Sequence, residues 1–305
     1  MKKLFLFIFV PFITATSFSC TMHHSNSDEQ NLQVLQEKTF LINQGKTLKL
    51  DASSGNIEIS TWDKNEVYIK ISGNNRAKDK VEFKFHNDEN IVDVSARTKG
   101  GFFGMNTGIK MKFEIIVPKN FNPETYTSGG NIKLEGVNGN SHIKTSGGNI
   151  YIRNSSGTIR TNTSGGEIRV ENISGNVNLS TSGGNISANN FNGDFDATTS
   201  GGNIKLTGND SRINAETSGG DITLDYKGEN KGIELNTSGG DIRIYLPGDF
   251  NAAAKISSSG GRISCDFKGN NAEKISSNSF IADINKGGNP LHVKTSGGDI
   301  EVSKR

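Results

Sequence analysis

Thr163-Ser164-Gly165-Gly166-Glu167-Ile168 and Thr181-Ser182-Gly183-Gly184-Asn185-Ile186 are two copies of one phrase, Thr-Ser-Gly-Gly-Asn/Asp/Glu-Ile, set 18 residues apart. Copies at the same interval begin at Thr127, Thr145, Thr199 and Thr217. The phrase returns at Thr237 and Ser258, in worn form as Ser276-Ser277-Asn278-Ser279-Phe280-Ile281, and at Thr295. A fixed short period marks a repeat array. Between copies the apolar residues are Ile168, Val170, Ile173, Val177 and Leu179, then Ile186, Ala188, Phe191, Phe195 and Ala197 in the next turn. These are period-2 stretches broken by turn residues at 171–172 and 174–176, which fits strands and no helix.

Strands this short cannot hold themselves together, but stacked turns satisfy each other's backbone. The pattern therefore predicts an all-β fold, a β-solenoid (β-helix or β-roll-like) with turns of about 18 residues. The paired glycines, Gly129 and Gly130, Gly147 and Gly148, Gly165 and Gly166, Gly183 and Gly184, Gly201 and Gly202, Gly219 and Gly220, Gly239 and Gly240, and Gly297 and Gly298, are read as structural corners that need positive φ. Thr should point inward and stack on Thr along the rod.

Lys2-Lys3 and the apolar run from Leu4 to Ala15 read as an export signal, too short to span a bilayer comfortably. Ser17-Phe18-Ser19-Cys20 closes it and resembles a bacterial lipoprotein box, which implies acylation of Cys20 after loss of residues 1–19. Removing Lys2 and Lys3 leaves 34 − 2 = 32 basic residues against 32 acidic, so the mature chain is neutral and offers no field for nucleic acid. The polar stretch 20–38 reads as a flexible tether. Asp28-Glu29 within it resembles the acidic signal that sends some bacterial lipoproteins to the cell surface.

Residues 39–305 read as a single solenoid domain. Leu48, Leu50, Ile57 and Ile59 share the parity of the later turns, so the array begins near Lys46. Residues 76–117 break the regularity and are expected to form an inserted β-sheet extension or cap near the N-terminal end, where unpaired strand edges need cover. Within it, Phe102, Phe103 and Met105 lie between glycines, and three readings stand: they fold onto the cap, they are disordered, or they bind a partner.

Side chains for chemistry are few. Cys265 aligns with the inward Leu134 and Val170 and should be a buried, inert thiol. His142 and His292 share an outward column, eight turns apart in sequence, too far to share a metal. Asp221 and Asp241 are successive members of the corner column, without the second Gly-x-Asp of a calcium-binding roll. The outward column Lys133, Tyr151, Arg169, Ser187, Lys205, Thr223, Arg243 mixes hydroxyls with cations, and Glu135, Arg153 and Glu171 beside it alternate in sign. None of this suggests a catalytic cluster, a cofactor or a metal.

Gly55-Asn56-Ile57-Glu58-Ile59 with Trp62-Asp63 and Val67, the strand Ile115-Ile116-Val117-Pro118, and the Thr-Ser-Gly-Gly-Asn-Ile array resemble the bacterial "putative adhesin" domain of unknown function, over roughly residues 40–305. The head-GIN auto-transporter adhesins are similar as a second choice. The resemblance implies a non-enzymatic repeat protein of the cell envelope, anchored by lipid to the outer membrane, facing the periplasm or the cell surface, and binding an envelope protein or glycan. A polysaccharide-active β-helix enzyme and a passive envelope spacer are the alternatives.

Overall fold

A turn closes because its two apolar stretches face each other across one core. In Ile168–Thr181, Ile168 and Val170 enter the core from one face, Val177, Leu179 and Thr181 from the other, and Ile173 fills the bend between them. The computed structural model describes residues 32–99 and 108–305, and Leu32–Arg305 form one unit. Turns stack in parallel without slip on the first face, from Ile132 through Ile150, Ile168, Ile186, Ile204 and Ile222 to Ile242. On the second face the same holds from Leu179 through Ala197 and Ala215 to Leu235. The chain is a β-solenoid.

Two different corners bend each turn. One is left-handed: Asn154, Asn172 and Asn190 take φ of 52°, 54° and 54°, a conformation Asn tolerates better than most residues. Their carboxamides form a ladder, Asn172 donating to Asn154 at 2.9 Å and Asn190 to Asn172 at 2.7 Å.

The Thr-Ser-Gly-Gly corner works by another route. Thr181 is buried; its hydroxyl donates to the Gly166 carbonyl of the preceding turn at 2.9 Å and accepts the Gly184 N–H of its own turn at 3.3 Å. The same pair of bonds recurs at Thr145, Thr163, Thr199, Thr217, Thr237 and Thr295. Beside it, Asn149, Asn203, Asp221 and Asp241 each present their backbone N–H to the side-chain oxygen one turn earlier.

Positive φ, the expected reason for the paired glycines, is not what most of them provide. Of the paired corner glycines only Gly130 has a left-handed φ, 139°. The second glycine is required by close approach instead: a Cβ on Gly166 would stand 1.8 Å from the Gly148 carbonyl oxygen. The first glycine of the pair is unconstrained, with nothing within 4 Å of a Cβ on Gly147 or Gly165.

Both ends depart from sequence order. At the N-terminal end, Thr47–Ala52 lies between Ile91–Thr98 and Asn122–Thr127, and Asn56–Trp62 between Met111–Pro118 and Ile132–Glu135. The described residues among 76–117 thus cap the N-terminal end as part of the stack, not as a separate extension. Two of their strands are themselves a rung, beneath the one that precedes them in the chain. Closure comes from antiparallel strands, Val81–Asn87 on one face and Glu66–Gly73 followed by Gln33–Leu41 on the other. That last strand takes in residues 33–38, which the sequence reading assigned to the tether.

At the C-terminal end, Pro290–Thr295 lies between Ile233–Thr237 and Ala252–Ser258, and Ile300–Lys304 between Ile242–Leu246 and Ile263–Cys265. The last copy in sequence is therefore an interior rung. The worn copy at 276–281 is not a corner: it spans the tight turn joining the antiparallel strands Gly269–Ser276 and Ser279–Ile284, which cover the second face.

The core is apolar apart from the Thr column and a few hydroxyls. Thr125, Ser141 and Thr161 are buried with no hydrogen-bond partner for their Oγ atoms. A buried hydroxyl without a partner costs about 1–3 kcal/mol. Thr161→Val keeps the branched shape and removes that cost, so it should raise the stability of the rod by about 1 kcal/mol, read as a higher denaturation midpoint with unchanged slope. A lower midpoint would show that Thr161 is satisfied in solution.

Candidate functional site

The regular turns present flat surfaces whose charges pair within the ladder. On the first face the outward column runs Lys133, Tyr151, Arg169, Ser187, Lys205, Thr223, Arg243 in register. Arg153 meets Glu135 at 2.7 Å, Arg169 meets Glu167 at 3.0 Å and Arg243 meets Asp241 at 2.8 Å. Exposed pairs of this kind contribute about 0–1 kcal/mol each. A shallow groove of about 390 Å³ runs between Arg169 and Lys205, over the small side chain of Ser187.

One place is different. The repeat interval lengthens to 20 between Thr237 and Thr217 and to 21 between Ser258 and Thr237. The added residues of these two turns emerge on the same side, and the loop before Pro290 returns beside them. Together they enclose a cleft of about 680 Å³, with Gly228 to Asn230 from one turn, Pro247 and Asp249 to Asn251 from the next, and Gly287 to Asn289 from the loop.

The cleft is built from below. Tyr226 is fully buried, and its hydroxyl accepts the Ser211 N–H at 2.8 Å and lies 2.6 Å from the Glu229 carbonyl, which pins the first loop. Burial pushes the Tyr226 phenol above its ordinary range. Phe250 packs edge-on against its ring, centroids 5.9 Å apart. Asp210, left-handed at φ 46°, accepts the Glu229 N–H at 2.9 Å and so fixes the loop from the side.

Carboxamides join the loops to one another. Asn230 donates to the carbonyls of Asn251 at 3.1 Å and Asn289 at 2.7 Å, and Asn289 donates back to the Asn230 carbonyl at 2.8 Å. Asn251 Oδ1 accepts the Lys286 N–H at 3.0 Å. The backbone N–H of Glu229 holds the Asp210 carboxyl below the usual carboxylate range, while the Glu229 carboxylate at 2.8 Å raises Lys231.

The residues singled out from sequence fall elsewhere. Cys20, Phe102, Phe103 and Met105 lie outside the described residues. Cys265 pairs with Val302 on a terminal rung and is half-buried rather than enclosed; burial still pushes its thiol upward. His142 and His292 are six rungs apart, not eight, because the last strands are threaded inward, and remain on one column. Asp221, Asp241 and Asp299 are stacked in succession, yet no group of three or more metal-ligating side chains is present among the described residues. Sequence reasoning passed over the cleft, although the two lengthened intervals were its signal.

The family described as Toastrack DUF4097 matches residues 45–303. Among solved structures, the chain is similar to a "putative lipid binding protein" from Parabacteroides distasonis at 15% identity, with 90% of this chain and 98% of that one covered and a TM-score of 0.49. It is similar as well to a "putative adhesin" from Bacteroides fragilis at 13% identity, with 90% and 98% covered and a TM-score of 0.42. No curated protein matches the chain.

Proposed function

Because this chain belongs to the Toastrack DUF4097 family of β-solenoid proteins, we propose that it is a non-enzymatic scaffold of the bacterial cell envelope, held to the outer membrane through an acylated Cys20 and binding a partner at its cleft. The observation that carries the reading is the convergence of three loops on one side of an otherwise uniform rod. Insertions in repeat proteins collect on the binding face, and loops on a rigid frame are where recognition is built.

The non-enzymatic half is supported by the state of two of the cleft's three carboxylates. A general acid needs a raised carboxyl. Asp210 is held down by the Glu229 N–H, and Glu229 is ion-paired with Lys231 at 2.8 Å. The anchor rests on the export signal and the Cys20 box.

Two measurements test the two halves. Metabolic labelling with an alkyne fatty acid should mark the full chain and send it to the membrane fraction, and Cys20→Ser should lose both; label persisting on Cys20→Ser would remove the anchor. A photo-crosslinking residue at position 247, on the rim of the cleft, should capture an envelope component that the same residue at position 187, on the flat face, does not. Equal capture from both positions would remove the cleft from the binding role.

A further inference from the structure

We propose that the cleft takes a neutral, hydroxyl-rich ligand, an oligosaccharide of the envelope, which rests on the binding reading above and names its ligand class. Its size, about 680 Å³, falls within the roughly 300–1,000 Å³ of small-ligand sites. What separates ligand classes is the set of polar atoms left over once the loops are tied together.

Asn230 is consumed by the framework: its Nδ2 serves two carbonyls, and its Oδ1 accepts the Gly232 N–H at 2.9 Å. Asn251 and Asn289 each use one end of the carboxamide on the framework, which leaves the Asn251 amide as a donor and the Asn289 oxygen as an acceptor. Asp249 is exposed and engages no group among the described residues, so both of its oxygens are open. The cleft thus offers donor, acceptor and charged acceptor side by side, with Pro247 as an apolar edge. A sugar hydroxyl is donor and acceptor at once, and its bond to a carboxylate is of the stronger, charge-assisted kind.

The other classes fit less well. An anion would meet Asp210, Glu229 and Asp249 in a cleft whose lining includes no basic residue. A metal ion would need three or more convergent ligands, and no such group exists among the described residues. An apolar ligand would strip water from these polar groups without replacing its hydrogen bonds.

The test uses the full chain, immobilised, with neutral, N-acetylated and uronic-acid-containing oligosaccharides from disaccharides to hexasaccharides at millimolar concentration, with and without EDTA. Retention of neutral or N-acetylated members, unaffected by EDTA, is expected. Asp249→Ala should weaken it about tenfold and Asp249→Asn less, with thermal unfolding unchanged because Asp249 is exposed. Four results would overturn the proposal: retention of no member, preference for uronic acids, loss in EDTA, or no effect of Asp249→Ala. Crosslinks from position 247 without any oligosaccharide retained would leave the scaffold standing and remove only the sugar.

Discussion

Gly166→Ala is expected to break the rod in the middle, while Gly165→Ala, one residue away, leaves it intact. A Cβ at 166 would stand 1.8 Å from the Gly148 carbonyl oxygen, 2.4 Å from its carbon and 2.9 Å from the Asn149 nitrogen, all of them backbone atoms that cannot swing aside. Relief requires separating two turns, which would also stretch the Thr163 hydroxyl's bonds to Gly148 and Gly166 and the parallel bonds around them. Strain at a site over-determined by its neighbours belongs among the large single-residue effects, about 4 kcal/mol or more. In a stacked array the cost falls on the interface between turns, so unfolding should lose its single transition and divide at that level.

At Gly165 the space is empty, and the φ is not left-handed. Alanine there should be neutral or raise stability by about 0.4–1 kcal/mol through the unfolded chain. Guanidinium unfolding followed by the single tryptophan, Trp62, and by circular dichroism reads both variants. Equal losses from the two would mean that close approach is not what the second glycine provides.

The second large effect is expected from removing residues 290–305. In a simple solenoid this trims an end turn and costs one interface. Here it withdraws a rung from between two others. Leu291, Val293, Ile300 and Val302 are buried, and their loss forfeits roughly 1.5–3 kcal/mol of burial each. The rung at 252–265, the hairpin at 269–284 and one wall of the cleft lose their support as well. Hydrogen exchange should show protection lost from about residue 247 onward and retained between 127 and 225; persistent protection of 252–265 would show that this rung can close directly on 233–246.

The repeat itself was plain in the sequence. An 18-residue interval, period-2 apolar pairs and an inward Thr are each dictated by the local fit of a turn to its neighbours, and the structure has all three. The threading at the ends was not readable, because every turn carries the same Ile-x-Val/Leu pattern. Nothing in Ile300-Glu301-Val302 says that it stacks between Ile242 and Ile263 rather than outside Ile263. The two glycines of a pair look alike for a similar reason: a close approach is a property of the neighbouring turn and leaves no mark on the residue itself. Likewise the lengthened intervals fixed where two loops would emerge, but that the 287–289 loop joins them depends on where the last strand is threaded.

That threading also decides how the molecule would bear a load. Ile300, Glu301 and Val302 are flanked by parallel partners on both sides, with the Arg305 N–H bonded to the Leu246 carbonyl at 2.9 Å. A pull on the chain end therefore drags the strand lengthwise past two neighbours at once, so the bonds on both flanks resist together instead of opening one after another. A rod whose last strand lay on the outside would peel. This one is clamped at its tip, and the rate at which it yields to tension would be set by shearing a buried rung.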